Sequence, residues 1–180
     1  SAVVMTNGAG SPRSGVYANC SDEDMQEIRR KEQRLAAQIG RYASVVQLRF
    51  TSKAIRDPEN KAPSQELAEV IRAMKPETVM THNFADKHNT HVGTALNVLR
   101  AIRLLPKNER PKKLLAGEIW RGLDWVSDKE KVRLDAGGND ALAAALMGVF
   151  DSQIAGGKRY DAATFGRRRA NATYGDSHAV

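Results

Sequence analysis

Residues 75–91 read KPETVMTHNFADKHNTH, and the fold of the whole chain turns on how this stretch divides. Lys75-Pro76 stops whatever helix precedes it, because the residue before a proline is driven out of the helical region. TVMTH (78–82) is then a short apolar and β-branched run, which reads as a buried strand. A polar loop follows, and a helix starts near His88 or Thr90, carrying Val92, Ala95, Leu96, Leu99 and Ile102 inward until Pro106. A strand therefore passes through a polar loop straight into a helix, and three of the four histidines lie in or beside that loop.

The same alternation extends in both directions. Upstream, Ser64 opens a helix with Leu67, Val70, Ile71 and Met74 on one stripe, and SVVQLRF (44–50) reads as a strand. SKAIRDPENKAP (52–63), between them, reads as a polar excursion of loop type. Further back, Ser21 and the acids Asp22, Glu23 and Asp24 form an N-terminal cap for a helix that buries Met25, Ile28, Leu35 and Ile39 and ends at Gly40. AVVMTNG (2–8) is a strand closed by Asn-Gly, followed by a Gly- and Ser-rich loop through Asn19. Downstream, LLAGEIW (114–120) is a fourth strand. Asn139-Asp140 caps a last helix with Leu142, Leu146, Val149, Phe150 and Ile154 buried, terminated by Gly156-Gly157. The expected fold is α/β: one domain over 1–180, with a Rossmann-like parallel sheet flanked by helices and ligands bound beyond the carboxyl ends of the strands.

Composition narrows the function classes. An apolar content of 41% with 27% charged residues suits a globular domain, and no run approaches the roughly 18 apolar residues a membrane span needs. SAVVMTNG lacks the basic start of a secretory signal, which leaves the compartment open. A single cysteine, Cys20, excludes an internal disulfide and any multi-cysteine zinc site. The formal charge of +7 is concentrated near the end, in Lys158, Arg159 and Arg167 to Arg169 beside Tyr160 and Phe165. With no nucleic-acid-binding signature around it, that segment reads as a solvated basic face, and nucleic acid is not the expected partner. His178 reads as part of a frayed terminus. Oligomeric state is open, a homo-oligomer included.

His88 and His91 are three residues apart, which on a helical turn places them on one side, near enough to serve one metal or one substrate. The pair alone does not make a site, because catalytic zinc takes three protein ligands and an open position. His82 and Asp86 are placed to add the supporting hydrogen bond that metal-bound imidazoles need. The plain alternative is a set of polar histidines around a helix start. For Trp120 and Trp125, packing is favoured over stacking on a sugar, and Arg29 beside Glu32 reads as a helical ion pair.

Taken together, VVMTNG (3–8), Arg29-x-x-Glu32, VVQLRF (45–50), the 75–91 run and DSQ (151–153) resemble the LmbE/PIG-L family of zinc-dependent deacetylases, in order and spacing, over roughly residues 2–155. The resemblance implies a Rossmann-like domain that hydrolyses an N-acetyl group from an N-acetylglucosamine-type small molecule or glycoconjugate, leaving an amine and acetate. It implies Zn2+ held by His91 together with a His and an Asp of an Ala-His-Pro-Asp-Asp-Glu loop. His88 matches a substrate-side catalytic histidine and Arg29 a substrate-binding residue, and Asp86 is expected beside them as a supporting group. No His-Pro-Asp-Asp occurs in these 180 residues. Two explanations compete, a piece of a longer protein and a natural remnant that has lost catalysis. Topology favours the first, a partial domain whose first, central strand and remaining ligands come from a complementary N-terminal segment, since omitting that strand leaves two half-sheets with unpaired edges. ATYGDSHAV, ending without a clear helix stop, is expected to continue into more chain. Thr90 stands where the family usually has Asp, and Ser52 where an acid often follows the strand, so substrate choice is left open. The rival reading is a non-catalytic binding module for an anionic sugar, phosphate or nucleic acid.

Overall fold

Ser21 opens the longest helix, α1 (Asp22–Ile39), through a reciprocal cap. Its hydroxyl accepts from Asp24 N at 3.0 Å while the Asp24 carboxylate accepts from Ser21 N at 3.0 Å. The computed structural model describes residues 1–170, so His178 and the ATYGDSHAV segment beyond Ala170 lie outside the described residues. The chain groups into two compact units, one of residues 1–47 with 124 onward and the other Leu48–Leu123.

In the first unit, α1 packs against α5 (Asp140–Gly148) and α6 (Asp151–Ile154), and α7 (Tyr160–Ala170) packs against both of these. The expected single helix over 139–154 is two. Asn139 caps the first of them by accepting from Leu142 N at 3.1 Å. Phe150, at φ −87° and ψ 54°, leaves helical geometry before Asp151 re-enters it. Strand β1 (Ala2–Thr6) pairs with β2 (Val45–Phe50), whose last residues pass into the second unit. Leu35, expected in the core, is 47% exposed. The buried line of α1 runs instead through Met25, Glu32, Ala36 and Ala37, because the helix is turned to bring the Glu32 carboxylate inside. The basic segment is α7 and its approach, where Arg159 pairs with Asp161, Arg167 with Asp124 and Arg168 with Asp140.

The Gly- and Ser-rich loop is sewn to both ends of α6. Tyr17 donates its hydroxyl to Asp151 at 2.5 Å, and Ser14 Oγ donates to Ala155 O at 3.4 Å. The bond to Asp151, aided by burial and by the negative charge of that carboxylate, pushes the Tyr17 phenol from 10.0 up to about 12. A raised phenol pKa favours the neutral ring in the folded state, so its contribution to stability is complete below pH 10 and is lost as the pH climbs to about 12. A spectrophotometric titration of tyrosinate absorbance is expected to show one tyrosine titrating near the upper value, and Tyr17→Phe to delete that step.

The second unit carries α2 (Ser52–Arg56), α3 (Ala62–Met74), β3 (Thr78–His82), α4 (Asn89–Leu104) and β4 (Lys113–Gly117). Residues 52–56, expected as loop, form a helix because Thr51 Oγ1 caps Ala54 N at 3.1 Å and Ile55, 1% exposed, anchors the turn. Helix α3 begins two residues before the expected Ser64, with Pro63 in its first turn, where no amide donor is needed. Strands β3 and β4 run parallel, with Thr78 opposite Lys113 and His82 opposite Gly117. The fourth strand thus stops at Gly117, short of the expected Trp120. Two two-stranded sheets, β1-β2 and β3-β4, are formed by the described residues, and neither has a third strand among them. No helix of the described residues is long and apolar enough to cross a membrane.

Helix α4 meets α2 and α3 through small residues. Gly93, Ala95, Asn97, Val98 and Ala101 are its buried positions, and Leu96, expected inside, is 42% exposed. Asn97 donates to Ile55 O at 3.0 Å and to Gly93 O at 2.9 Å. A β-carbon on Gly93 would lie 2.7 Å from Ile55 O, so the close approach of the two helices requires glycine there. Gly93→Ala is expected to cost about 1–3 kcal/mol, the usual penalty of overpacking, read as a lower urea midpoint with an unchanged slope.

Candidate metal centre at the end of β3

The loop after β3 is built around one buried acid. Asn83 N donates to Gly117 O at 2.8 Å, tying the loop to the end of β4, and Asp86 N donates to Asn83 O at 3.1 Å to close a tight turn. This swings the Asp86 side chain inward, where it is fully buried. Its Oδ1 accepts from His88 N at 2.8 Å, and its Oδ2 lies 2.9 Å from His91 Nδ1. Burial alone would raise the Asp86 carboxyl, yet the amide of His88 and the imidazole of His91 together hold it below the usual carboxylate range.

Helix α4 begins on the same loop, and His88 is its N-cap, accepting with Nδ1 from Thr90 N at 3.3 Å. His91 N donates to His88 O at 2.8 Å, so the two histidines occupy adjoining turns of backbone. Their rings stack with centroids 4.6 Å apart and planes 27° apart. His82, at the end of β3, lies against the His91 ring at 4.0 Å with 4° between planes. Burial and the neighbouring His91 push the His82 imidazole below its ordinary value, against the opposing pull of Asp86. Sequence reasoning expected both Asp86 and His82 to give His91 a supporting hydrogen bond; Asp86 does, whereas His82 meets it face to face.

Glu118 was not foreseen. It is 7% exposed and accepts from Trp120 N at 2.8 Å and Arg121 N at 2.5 Å, closing the turn that follows β4. That turn carries the Trp120 ring to 6.2 Å from His91, nearly parallel to it, with the Lys87 ammonium 4.6 Å over the indole. Trp120 therefore packs in this cluster, as expected. In the sequence Glu118 falls inside the expected strand 114–120, so no local signal marks it as the acid that closes a turn.

His82, Asp86 and His91 each bring one candidate ligand atom within 4.8 Å of the others. Their chemistry fits a zinc-type ion at one atom in particular. An ionised Asp86 only accepts, so His91 Nδ1 carries the hydrogen and, in the neutral ring, Nε2 keeps its lone pair, the arrangement in which a carboxylate orients a metal-binding imidazole. Both Asp86 oxygens are engaged, Oδ1 by the His88 amide and Oδ2 by His91 Nδ1.

The first unit holds a second constellation. Arg29 pairs with Glu32, and the guanidinium lies 5.2 Å from the Phe150 ring centroid. Glu32 accepts from Ser152 N and from Ser152 Oγ, each at 2.8 Å. Gly8, at φ +81°, lets the backbone pass where a β-carbon would sit 2.6 Å from Arg29 Cγ. The ion pair read from the sequence is thus part of a buried bridge from α1 to the DSQ segment.

Residues 1–102 match the PIG-L family, described as GlcNAc-PI de-N-acetylase. The chain belongs to the PIG-L family. That match spans α1 and the whole loop from His82 to His91. Solved structures agree on the PIG-L fold. The conserved protein TT1542 from Thermus thermophilus superposes with a TM-score of 0.69 at 20% identity, over 97% of this chain and 75% of that one. The N,N'-diacetylchitobiose deacetylase from Pyrococcus horikoshii, solved with its inhibitor MPG, gives a TM-score of 0.66 at 16% identity, over 99% of this chain and 68% of that one. No curated protein sequence matches the chain.

Proposed function

We propose that this chain is the carboxyl-side part of a zinc-dependent amidohydrolase that removes an N-acetyl group from an N-acetylglucosamine-type small molecule or glycoconjugate. The observation that carries the reading is the 2.9 Å contact between Asp86 Oδ2 and His91 Nδ1, which in the neutral imidazole puts the hydrogen on Nδ1 and leaves Nε2 its lone pair. Membership of the PIG-L family and the fold shared with a chitobiose deacetylase support the substrate class.

In this reading His91 Nε2 is a metal ligand and Asp86 orients it. A bound zinc supplies Lewis acidity and a water of lowered pKa. His88, whose Nδ1 accepts from Thr90 N, carries its hydrogen on Nε2 when neutral, placing a donor for the oxygen that gains charge or for the departing amine. In the first unit, Arg29 is proposed to contact substrate. The remaining ligands are proposed to come from a segment outside these 180 residues, added as a strand to β3, whose only partner among the described residues is β4.

The test is zinc content per chain and acetate release from N-acetylglucosaminyl compounds, measured on the complete gene product before chelation, after it, and after zinc is restored. Stoichiometric zinc with chelator-sensitive acetate release supports the proposal. Absence of both, with saturable binding of a sugar phosphate, identifies the rival binding module.

A further inference from the structure

His82 lies as near to His91 as a fellow ligand would, and the orientation of the rings decides what it does. The lone pair of an imidazole nitrogen lies in the ring plane, and zinc sits on it at about 2.0–2.1 Å. The His82 and His91 rings are 4° from parallel with centroids 4.0 Å apart. The lone pairs of the two rings therefore lie in nearly parallel, stacked planes and do not converge on one point. Shared proximity to Asp86 does not make His82 a donor in this arrangement.

The stack supplies something the hydrogen bond lacks. Asp86 holds one edge of the His91 ring at Nδ1, but a single bond leaves the ring able to swing about the line joining the two atoms. A flat neighbour over the ring face removes that freedom. His82 is fixed for this by its backbone, as the last residue of β3, opposite Gly117 of β4.

We propose that His82 is a positioning residue: its ring, stacked on His91, sets the plane in which His91 presents Nε2, and it contributes no nitrogen to the metal. The metal half of this statement rests on the function proposed above; the stacking half stands without it.

Two variants separate a wall from a ligand. His82→Phe keeps a flat ring and has no lone pair, and His82→Ala removes both. Zinc titrations of the complete protein are expected to place His82→Phe within about twofold of the parent and His82→Ala about 10-fold or more weaker, the usual scale for groups that support a ligand. His82→Phe falling as far as His82→Ala overturns the proposal and makes His82 a ligand. Long-range 1H–15N and nuclear Overhauser spectra of the metal-free imidazoles give an independent reading. The His91 Nδ1–H tautomer, set by Asp86, is expected in the parent and in both variants. The nuclear Overhauser contacts that fix the plane of the His91 ring are expected to persist in His82→Phe and to be lost in His82→Ala, and their persistence in His82→Ala refutes the positioning role. If the parent itself takes up no zinc, the metal-dependent function fails, while the ring-plane comparison still decides what His82 does.

Discussion

His91→Ala is expected to bring bound zinc to background and amide hydrolysis by the complete protein below about one hundredth of the parent rate, a loss of nearly 3 kcal/mol or more in transition-state stabilisation. The folded structure should tolerate the change, because His91 sits partly exposed near the start of α4 and its backbone bond to His88 O is kept. Asp86→Ala should do the opposite on balance. Its carboxylate is fully buried and serves two donors, His88 N and His91 Nδ1. Removing it strands a backbone amide and frees the His91 tautomer, at an expected cost of about 2–4 kcal/mol in stability and a 10- to 100-fold weaker zinc affinity. Denaturant melts and zinc titrations on the two variants distinguish a residue that donates from one that aims.

Glu32→Ala is expected to be the most damaging change in the first unit. Both carboxylate oxygens are committed: they take Ser152 N, Ser152 Oγ and the Arg29 guanidinium. Without them the fully buried Ser152 amide has no acceptor and Arg29 keeps only the face of Phe150 and a 3.4 Å contact to Ser152 Oγ. Breaking a buried ion pair from one side costs about 3–5 kcal/mol. Glu32→Gln retains the shape and one acceptor and is expected to lose less than half of that. Urea midpoints and amide exchange at Ser152 measure both.

The chain order of strands and helices was legible because most elements carry their own punctuation. Ser21 with Asp24, Asn139 and Lys75-Pro76 each mark a boundary that needs no tertiary contact to be read. Residues 52–56 escaped because a helix of this length with one apolar anchor, Ile55, shows no period, even though Thr51 stood ready as a cap. Leu35 and Leu96 were misplaced for a different reason. Hydrophobicity points a helix toward its greasiest face, whereas α1 turns to bury a charged Glu32 and α4 turns to bury glycine and asparagine. The site followed the same division. Asp86 and His91 could be joined from spacing, since both lie on one strand–loop–helix passage. The parallel stacking of His82, and the tie from Glu32 to Ser152 more than a hundred residues away, depend on tertiary geometry that no local pattern encodes.

The nitrogen of His88 that fastens the first turn of α4 is also the only ring position left for a second hydrogen. Charging that imidazole therefore unhooks Thr90, loosening the turn on which His91 is mounted. If His91 holds the proposed zinc, a catalytic cycle that passes a proton through His88 would flex that arm at each turnover, and locking the turn with a non-titrating cap would slow the cycle without touching His91.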